Sequence, residues 1–190
     1  MKAKKSKNRI LTLFGSGETS PHMAKNYRHI IDGLSFDLQK NLLLDTPFGF
    51  QENNMILSKK IQDYFASKIN LKLKSLKLIS EESYSNEHTA LLSNADFIFS
   101  GPGSPTYASK IWLKHNLGDV LKNKLKSGVV MAFASAAALT LGRYVIPVYE
   151  IYKVGDLQGL KEGLNVLDFL GKDTVIVPHF NNQEGGDHDK

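Results

Sequence analysis

Short apolar runs alternate with amphipathic segments along most of this chain. The apolar runs have the length of strands, whereas the segments between them repeat their apolar residues with the period of a helix. The predicted strands are residues 10–14, 41–45, 71–79, 96–100, 129–134 and 174–177. The predicted helices are residues 22–34, 53–68, 86–93, 106–115 and 117–127, and a polar hairpin is predicted at 149–156.

Strands that alternate with helices predict a mostly parallel sheet with helices on both faces, which is a three-layer α/β sandwich. No internal repeat or linker divides the sequence, so residues 10–190 are predicted to form a single α/β domain. In such sheets, sites gather beyond the carboxyl ends of the strands. The loops after Phe14, Asp45, Ser100, Ala134 and Val177 should therefore meet at one edge.

The charge distribution argues against a nucleic-acid partner, although the formal net charge is +5. Five of the 24 basic residues lie within the first nine positions, and most others are lysines scattered between apolar residues. We therefore predict a basic, disordered leader over residues 1–9 and no nucleic-acid binding. No apolar run is long enough to span a membrane, so no membrane partner is predicted and the cytoplasm is the default location.

The chain has no cysteine, which excludes disulfides, cysteine–zinc sites and a thiol nucleophile. The sequence Gly15-Ser16-Gly17-Glu18 follows the first strand as a phosphate loop would. It lacks the third glycine of the dinucleotide pattern and the Gly-Lys pair of a P-loop, so nucleotide binding is a minor alternative and no cofactor is predicted. Glu18 is a candidate to contact a substrate amine or to cap the following helix.

The most informative stretch is the apolar run that ends at Ser135 and continues into three alanines. A strand that turns sharply into a helix at a serine is the arrangement of a nucleophile elbow, which exposes one hydroxyl at the tip of the turn. The simpler alternative is that Ser135 caps the following helix, since serine is favoured at that position.

Three short motifs together resemble a known family. They are Ser100-Gly101-Pro102-Gly103-Ser104, then Ala134-Ser135-Ala136-Ala137, and then Pro178-His179-Phe180-Asn181-Asn182. In this order they resemble the dipeptidase E and cyanophycinase group of serine peptidases, within the class I glutamine amidotransferase-like superfamily. The segments 15–20, 45–53 and 146–155 resemble an uncharacterised branch of that superfamily. The resemblance implies a flavodoxin-like three-layer fold.

The resemblance also implies roles for individual residues. Ser135 would be the nucleophile and His179 its general base. The backbone N–H groups of Ala136 and Gly103 would form the oxyanion hole, because Pro102 has no N–H to donate. Asp189 falls closest to an acidic position of the family and is the candidate for the third catalytic residue.

Further acceptors near the ends of the motifs are candidates for substrate binding, and they are Glu18, Asn181 and Glu184. Related proteins continue past the position of Lys190. One interpretation is therefore that this chain is a truncated product that lacks an orienting acid.

The sequence also departs from the family pattern. The glycines that flank the family's serine are replaced by Phe133 and Ala137, and a phenylalanine should crowd a tight turn. Where dipeptidase E has an aspartate before a Met-Pro pair, this chain has Val145-Ile146-Pro147. Specificity for an N-terminal aspartate is therefore not predicted.

The resulting hypothesis is a serine hydrolase that acts on a small amide or peptide substrate. The alternative is a catalytically inactive amidotransferase-like module for binding or assembly, since a fold does not guarantee its chemistry. A metal site in the tail is a further alternative, because ligand-type residues cluster there without a recognised spacing. They are His179, Glu184, Asp187, His188 and Asp189. Glutaminase activity is disfavoured without a cysteine, and a homo-oligomer is left open.

Overall fold

The computed structural model describes residues 9–34, 38–171 and 173–179. Its centre is a five-stranded parallel sheet in the order β1-β5-β4-β2-β3. The strands of this sheet are β1 (Ile10–Phe14), β2 (Asn41–Leu44), β3 (Lys74–Ser75), β4 (Phe97–Ser100) and β5 (Val130–Ala134). A separate antiparallel pair is formed by β6 (Tyr144–Val145) and β7 (Lys161–Glu162).

The described α-helices are α1 (Met23–Asp32), α2 (Asn54–Tyr64), α3 (Asn86–Asn94), α4 (Pro105–Lys114), α5 (Leu117–Lys126) and the short α6 (Ala136–Leu139). Single 3₁₀ turns lie at Thr46–Phe48, Glu81–Ser83 and Asp168–Leu170. Two π-helical turns lie at Phe65–Ile69 and Glu150–Val154. None of the helices in the described ranges is long and apolar enough to cross a membrane.

Two apolar cores lie on opposite faces of the sheet. The first packs α3, α4, α5 and α6 around Trp112 and Phe133. The second packs α1 and α2 around Tyr27, Phe65 and Phe99. Every residue of β2, β4 and β5 is buried, as expected for parallel strands that are covered on both sides. The predicted three-layer α/β sandwich is therefore confirmed.

Two local predictions were wrong. The polar segment 149–156 forms a π-helical turn that ends at Gly155, whose φ of 74° ends the helical conformation. The hairpin in this region is formed instead by β6 and β7. The predicted strand 174–177 makes only one isolated parallel bridge, between Val175 and Tyr144.

The segment 71–79 buries its four leucines as predicted, but the alternation shifts by one residue at Ser75 and only Lys74–Ser75 pairs as a strand. Leu76 still donates its N–H to the carbonyl of Leu43 at 2.9 Å. Lys77 then adopts a φ of 58°, which is incompatible with a continuing ladder. The side-chain pattern therefore predicted burial correctly and overestimated the strand.

Thr46 joins the loop after β2 to the first core. Its hydroxyl donates to the carbonyl of Leu78 at 2.6 Å and accepts the indole N–H of Trp112 at 2.8 Å. Thr46, Leu78 and Trp112 are all fully buried. Neither the Leu78 carbonyl nor the Trp112 N–H can therefore bind water in place of the Thr46 hydroxyl. This hydroxyl helps to fix the loop that continues into Pro47.

We expect Thr46→Val to lower the free energy of unfolding by about 2 kcal/mol, because it leaves two buried polar groups without partners. Urea denaturation would measure the loss. The matched control is Thr89→Val on the exposed surface of α3, which should change stability by less than about 0.5 kcal/mol. Equal effects of the two substitutions would contradict the role of the buried hydroxyl.

Candidate active site

Ser135 lies between β5 and α6 in an unusual backbone conformation. Its φ is 47° and its ψ is −120°, and its side chain makes no capping hydrogen bond to α6. The interpretation of Ser135 as a helix cap is therefore wrong, since a cap has extended backbone angles and bonds to the first turn. A serine in such a sparsely populated region costs about 1–3 kcal/mol, which the surrounding structure must offset.

The Ser135 turn is held on both sides by neighbouring strands. The N–H of Ser135 donates to the carbonyl of Phe14 at the end of β1, at 3.0 Å. The N–H of Ala137 donates to the carbonyl of Gly101 after β4, at 3.2 Å. These two hydrogen bonds hold the turn between the end of β1 and the loop after β4.

The two residues that replace the family's glycines do not prevent this turn. Phe133 is fully buried and its ring packs edge-on against Trp112, with centroids 6.3 Å apart. Its side chain therefore points into the first core. Ala137 is also fully buried, and its methyl group fits where a larger side chain would not.

His179 reaches the serine from the end of the last described segment. Its Nε2 lies 3.1 Å from the Oγ of Ser135, which is hydrogen-bond distance for a serine and its base. Its φ of 59° turns the chain at this point. The loop after β1 also approaches His179 closely, because a Cβ added to Gly15 would lie 3.3 Å from the backbone nitrogen of His179.

The glycine loop after β4 is held by the loop after β2. Gly103 has a φ of 142°, and a Cβ there would lie 2.0 Å from the carbonyl oxygen of Pro47. The same oxygen accepts the N–H of Ser104 at 2.8 Å. The hydroxyl of Ser104 then caps α4 by accepting from Tyr107 N–H at 3.0 Å. Only glycine fits at position 103.

Two backbone N–H groups at this edge lack an acceptor in the described part of the chain. Among the described residues, none accepts a hydrogen bond from the backbone N–H of Gly103 or of Ala136. Ala136 is the first residue of α6, where a helix leaves its N–H groups unpaired. These are the two predicted oxyanion donors.

Glu18 is buried under the glycine loop, with 7% of its surface exposed. Its Oε1 lies 3.8 Å from the position that a Cβ on Gly101 would take. Burial raises the pKa of the Glu18 carboxyl above its ordinary value, and a bond from its own backbone N–H opposes this in part. The interpretation of Glu18 as a helix cap is wrong, because α1 begins at Met23 and has no acid in its first turn.

Several predicted residues lie outside the described part of the chain. They are Asn181, Glu184, Asp187, His188 and Asp189, together with residues 1–8 of the predicted basic leader. The third catalytic residue, two substrate-binding candidates and the metal site in the tail therefore stay predictions. Within the described ranges, no three ligand-type side chains come together.

Glu150, which no sequence pattern singled out, lies beside the glycine loop. Its carboxylate accepts from the hydroxyl of Ser104 at 3.2 Å and from that of Thr106 at 3.0 Å. Ser104-Pro105-Thr106 is a recognisable helix start. No local pattern, however, connects it with an acid more than 40 positions later.

The fold is shared with solved peptidase structures. A peptidase from an acI-B1 actinobacterium superposes with a TM-score of 0.71 at 23% identity, over 92% of this chain and 69% of that one. A peptidase E-type protein from Listeria monocytogenes EGD-e superposes with a TM-score of 0.63 at 16% identity, over 92% of this chain and 81% of that one. No family model and no curated protein matches the sequence. The predicted resemblance to dipeptidase E, with its class I glutamine amidotransferase-like fold, is confirmed at the level of the fold.

We expect Glu18→Gln to make the stability of the protein less dependent on pH. The native state holds the proton of Glu18 more tightly than the unfolded state does, because burial raises its pKa. Stability should therefore fall as the pH rises from about 4.5, the unfolded value, through the native pKa. Glutamine cannot ionise, so the slope of unfolding free energy against pH should flatten in this window.

Urea denaturation at a series of pH values would measure that slope. The exposed Glu82→Gln is the matched control and should leave the slope unchanged. Asp45 is also buried, and burial raises its pKa. Its ionisation therefore also lowers stability as the pH rises, and this contribution remains in both variants. A slope that is identical in wild type and Glu18→Gln would contradict the burial effect.

Gly103→Ala should destabilise the protein by about 3 kcal/mol, since the added methyl overlaps the carbonyl of Pro47. The control is Gly159→Ala, where nothing lies within 4 Å of the added Cβ. Thermal unfolding of the two variants would check this. A Gly103→Ala protein as stable as Gly159→Ala would refute the close approach of the two loops.

Proposed function

We propose that this protein is a serine hydrolase that cleaves a small amide or peptide substrate, with Ser135 as nucleophile and His179 as general base. The observation that carries the proposal is the 3.1 Å approach of His179 Nε2 to the Oγ of a serine held at φ 47° and ψ −120°. The peptidases with the same fold support an activity of this class.

The proposed reaction is an acyl transfer in two steps. The Oγ of Ser135 attacks the substrate carbonyl carbon while His179 Nε2 takes the hydroxyl proton. His179 then returns that proton to the leaving amine as the carbon–nitrogen bond breaks. Water, deprotonated by the same histidine, releases the acyl group and restores Ser135.

The oxyanion of each step needs donors that are already in place. We assign this role to the N–H groups of Ala136 and Gly103, because neither has an acceptor among the described residues. Each such donor is worth about 3 kcal/mol of barrier. Asp189 is proposed to orient His179.

The substrate-binding groups are proposed on two grounds. Glu18 lies under the glycine loop, where its carboxyl can face a substrate group that enters between the loops. Asn181 and Glu184 follow His179 closely along the chain, and this closeness in sequence is the ground for proposing them. All three are proposed to contact the substrate and not to take part in proton transfer.

The alternative is an inactive module with the same fold. A serine hydroxyl 3.1 Å from an imidazole is the pair that acyl transfer requires, whereas binding or assembly does not require it. Strained residues that persist in a fold cluster at functional sites. The Ser135 backbone therefore favours the hydrolase over the inactive module.

Labelling with a fluorophosphonate probe would test the proposal. We expect the wild type to be labelled at Ser135, and both Ser135→Ala and His179→Ala to lose labelling, His179→Ala by at least about 100-fold in rate. The matched controls are Ser93→Ala and His22→Ala, exposed residues that should leave labelling unchanged.

Circular dichroism would confirm that each variant is folded. A folded wild type that the probe does not modify would refute the proposed hydrolase. Labelling that survives in Ser135→Ala would assign the reactive hydroxyl elsewhere.

A further inference from the structure

A cleft of about 540 Å³ lies beside the amino end of β2. It is here named the basic cleft, and it is lined by residues 39–42 and 72–74 and by residues 87, 90, 91 and 94 of α3. The candidate active site lies at the carboxyl ends of the parallel strands, so β2, about 10 Å long, separates the two. A cleft of this volume is typical of small-molecule sites, and the proposed reaction does not use it.

Positive charge predominates in the lining of the basic cleft. Among its described residues, three lysines, Lys40, Lys72 and Lys74, stand against a single acid, Glu87. Lys74 pairs with Glu87 at 3.1 Å and so joins the strand side of the cleft to α3. Within the described ranges, neither Lys40 nor Lys72 forms an ion pair. The lining therefore keeps two positive charges that no acid of the cleft neutralises.

Hydrogen bonds hold the backbone that carries these two lysines. Asp96, an acid that does not line the cleft, accepts the backbone N–H of Lys40 at 3.1 Å. The side-chain amide of the buried Asn41 donates to the carbonyl of Lys72 at 3.3 Å and so ties residue 72 to the start of β2. The spacing between the main chains of Lys40 and Lys72 is therefore set before a ligand binds, which lowers the entropy cost of binding.

Apolar side chains make up much of the remaining lining. Leu42 and Leu73 belong to the strand side of the cleft, and Ala90 and Leu91 belong to α3. A free inorganic anion held by the lysines would leave this apolar surface in contact with water. A ligand with an apolar body would cover it, and removing apolar surface from water favours binding. The lining is therefore complementary to a ligand that is both anionic and apolar.

We propose that the basic cleft is a binding site for a small molecule that joins an anionic group, a carboxylate or a phosphate, to an apolar body. Lys40 and Lys72 provide the charge complement for the anionic group. The apolar lining, with Leu91 at its α3 side, covers the body of the ligand. This site is separate from Ser135, so the inference goes beyond the proposed function and does not depend on it.

Titrations of the full chain followed by ¹H–¹⁵N NMR would test the proposal, with octanoate, octyl phosphate and octanol as probes of equal chain length. We expect both anions to shift the amide signals of residues 39–42, 72–74 and α3 in a saturable way. Octanol should bind about fivefold more weakly, because it lacks the charge that the lysines attract. Tighter binding of octyl phosphate would assign a phosphate to the ligand, and tighter binding of octanoate would assign a carboxylate; both results support the proposal.

Lys40→Gln combined with Lys72→Gln should weaken the binding of both anions about fivefold and leave the octanol affinity within about twofold of wild type. The matched control is Lys25→Gln combined with Lys60→Gln, which removes the same charge from exposed positions on α1 and α2 and should keep the wild-type affinities. Ala90→Trp places a large ring at an exposed position of the cleft wall and should weaken all three probes. It gives a second reading if the lysine variant does not fold.

Four outcomes would overturn the inference. The first is the absence of saturable shifts at the basic cleft with either anion. The second is equal affinity for octanol and the anions, because the cleft would then be an apolar groove without charge selection. The third is unchanged anion affinity in a folded Lys40→Gln and Lys72→Gln variant. The fourth is loss of binding in Ser135→Ala, which would place the ligand at the candidate active site, whereas unchanged binding in this variant supports a separate site.

Discussion

The pairing of β5 between β1 and β4 is the constraint on which the site depends. Phe14 is opposite Ala134 on one side, and Ser100 is opposite Phe133 on the other. The chain leaves β5 at Ser135 with its N–H still bonded to the carbonyl of Phe14. The strained serine is therefore placed by the last contacts of a buried ladder.

Contacts around the turn can offset the free-energy cost of this strain. A serine with these backbone angles costs about 1–3 kcal/mol. The two bonds that clamp the turn, from Ser135 to Phe14 and from Ala137 to Gly101, contribute about 1 kcal/mol each. The buried residues of α6, Ala136–Leu139, add apolar contacts with the first core. A turn clamped in this way can hold a hydroxyl in place without the help of a ligand.

The sequence predicted what depends on local pattern and missed what depends on distant partners. The buried strands followed from apolar runs, and the Ser135–His179 pair followed from the family resemblance that three short motifs carry. Glu150 was missed because its partners lie more than 40 positions away. The segment 149–156 was predicted as a hairpin from its polarity, yet β6 pairs with β7 beyond it. Short pairings of this kind are decided by tertiary contacts and carry little local signal.

The departures at Phe133 and Ala137 change how the glycines of the family's motif should be understood. A glycine before the serine is needed only where the side chain of a larger residue would point into the turn, and the ring of Phe133 points instead against Trp112 in the first core. After the serine, alanine suffices because its methyl is fully buried without overlap. Steric freedom at the turn is therefore supplied here by the direction of one side chain and the small size of another. A search for the glycine pattern alone would overlook this serine, although its backbone has the strained angles that such turns require.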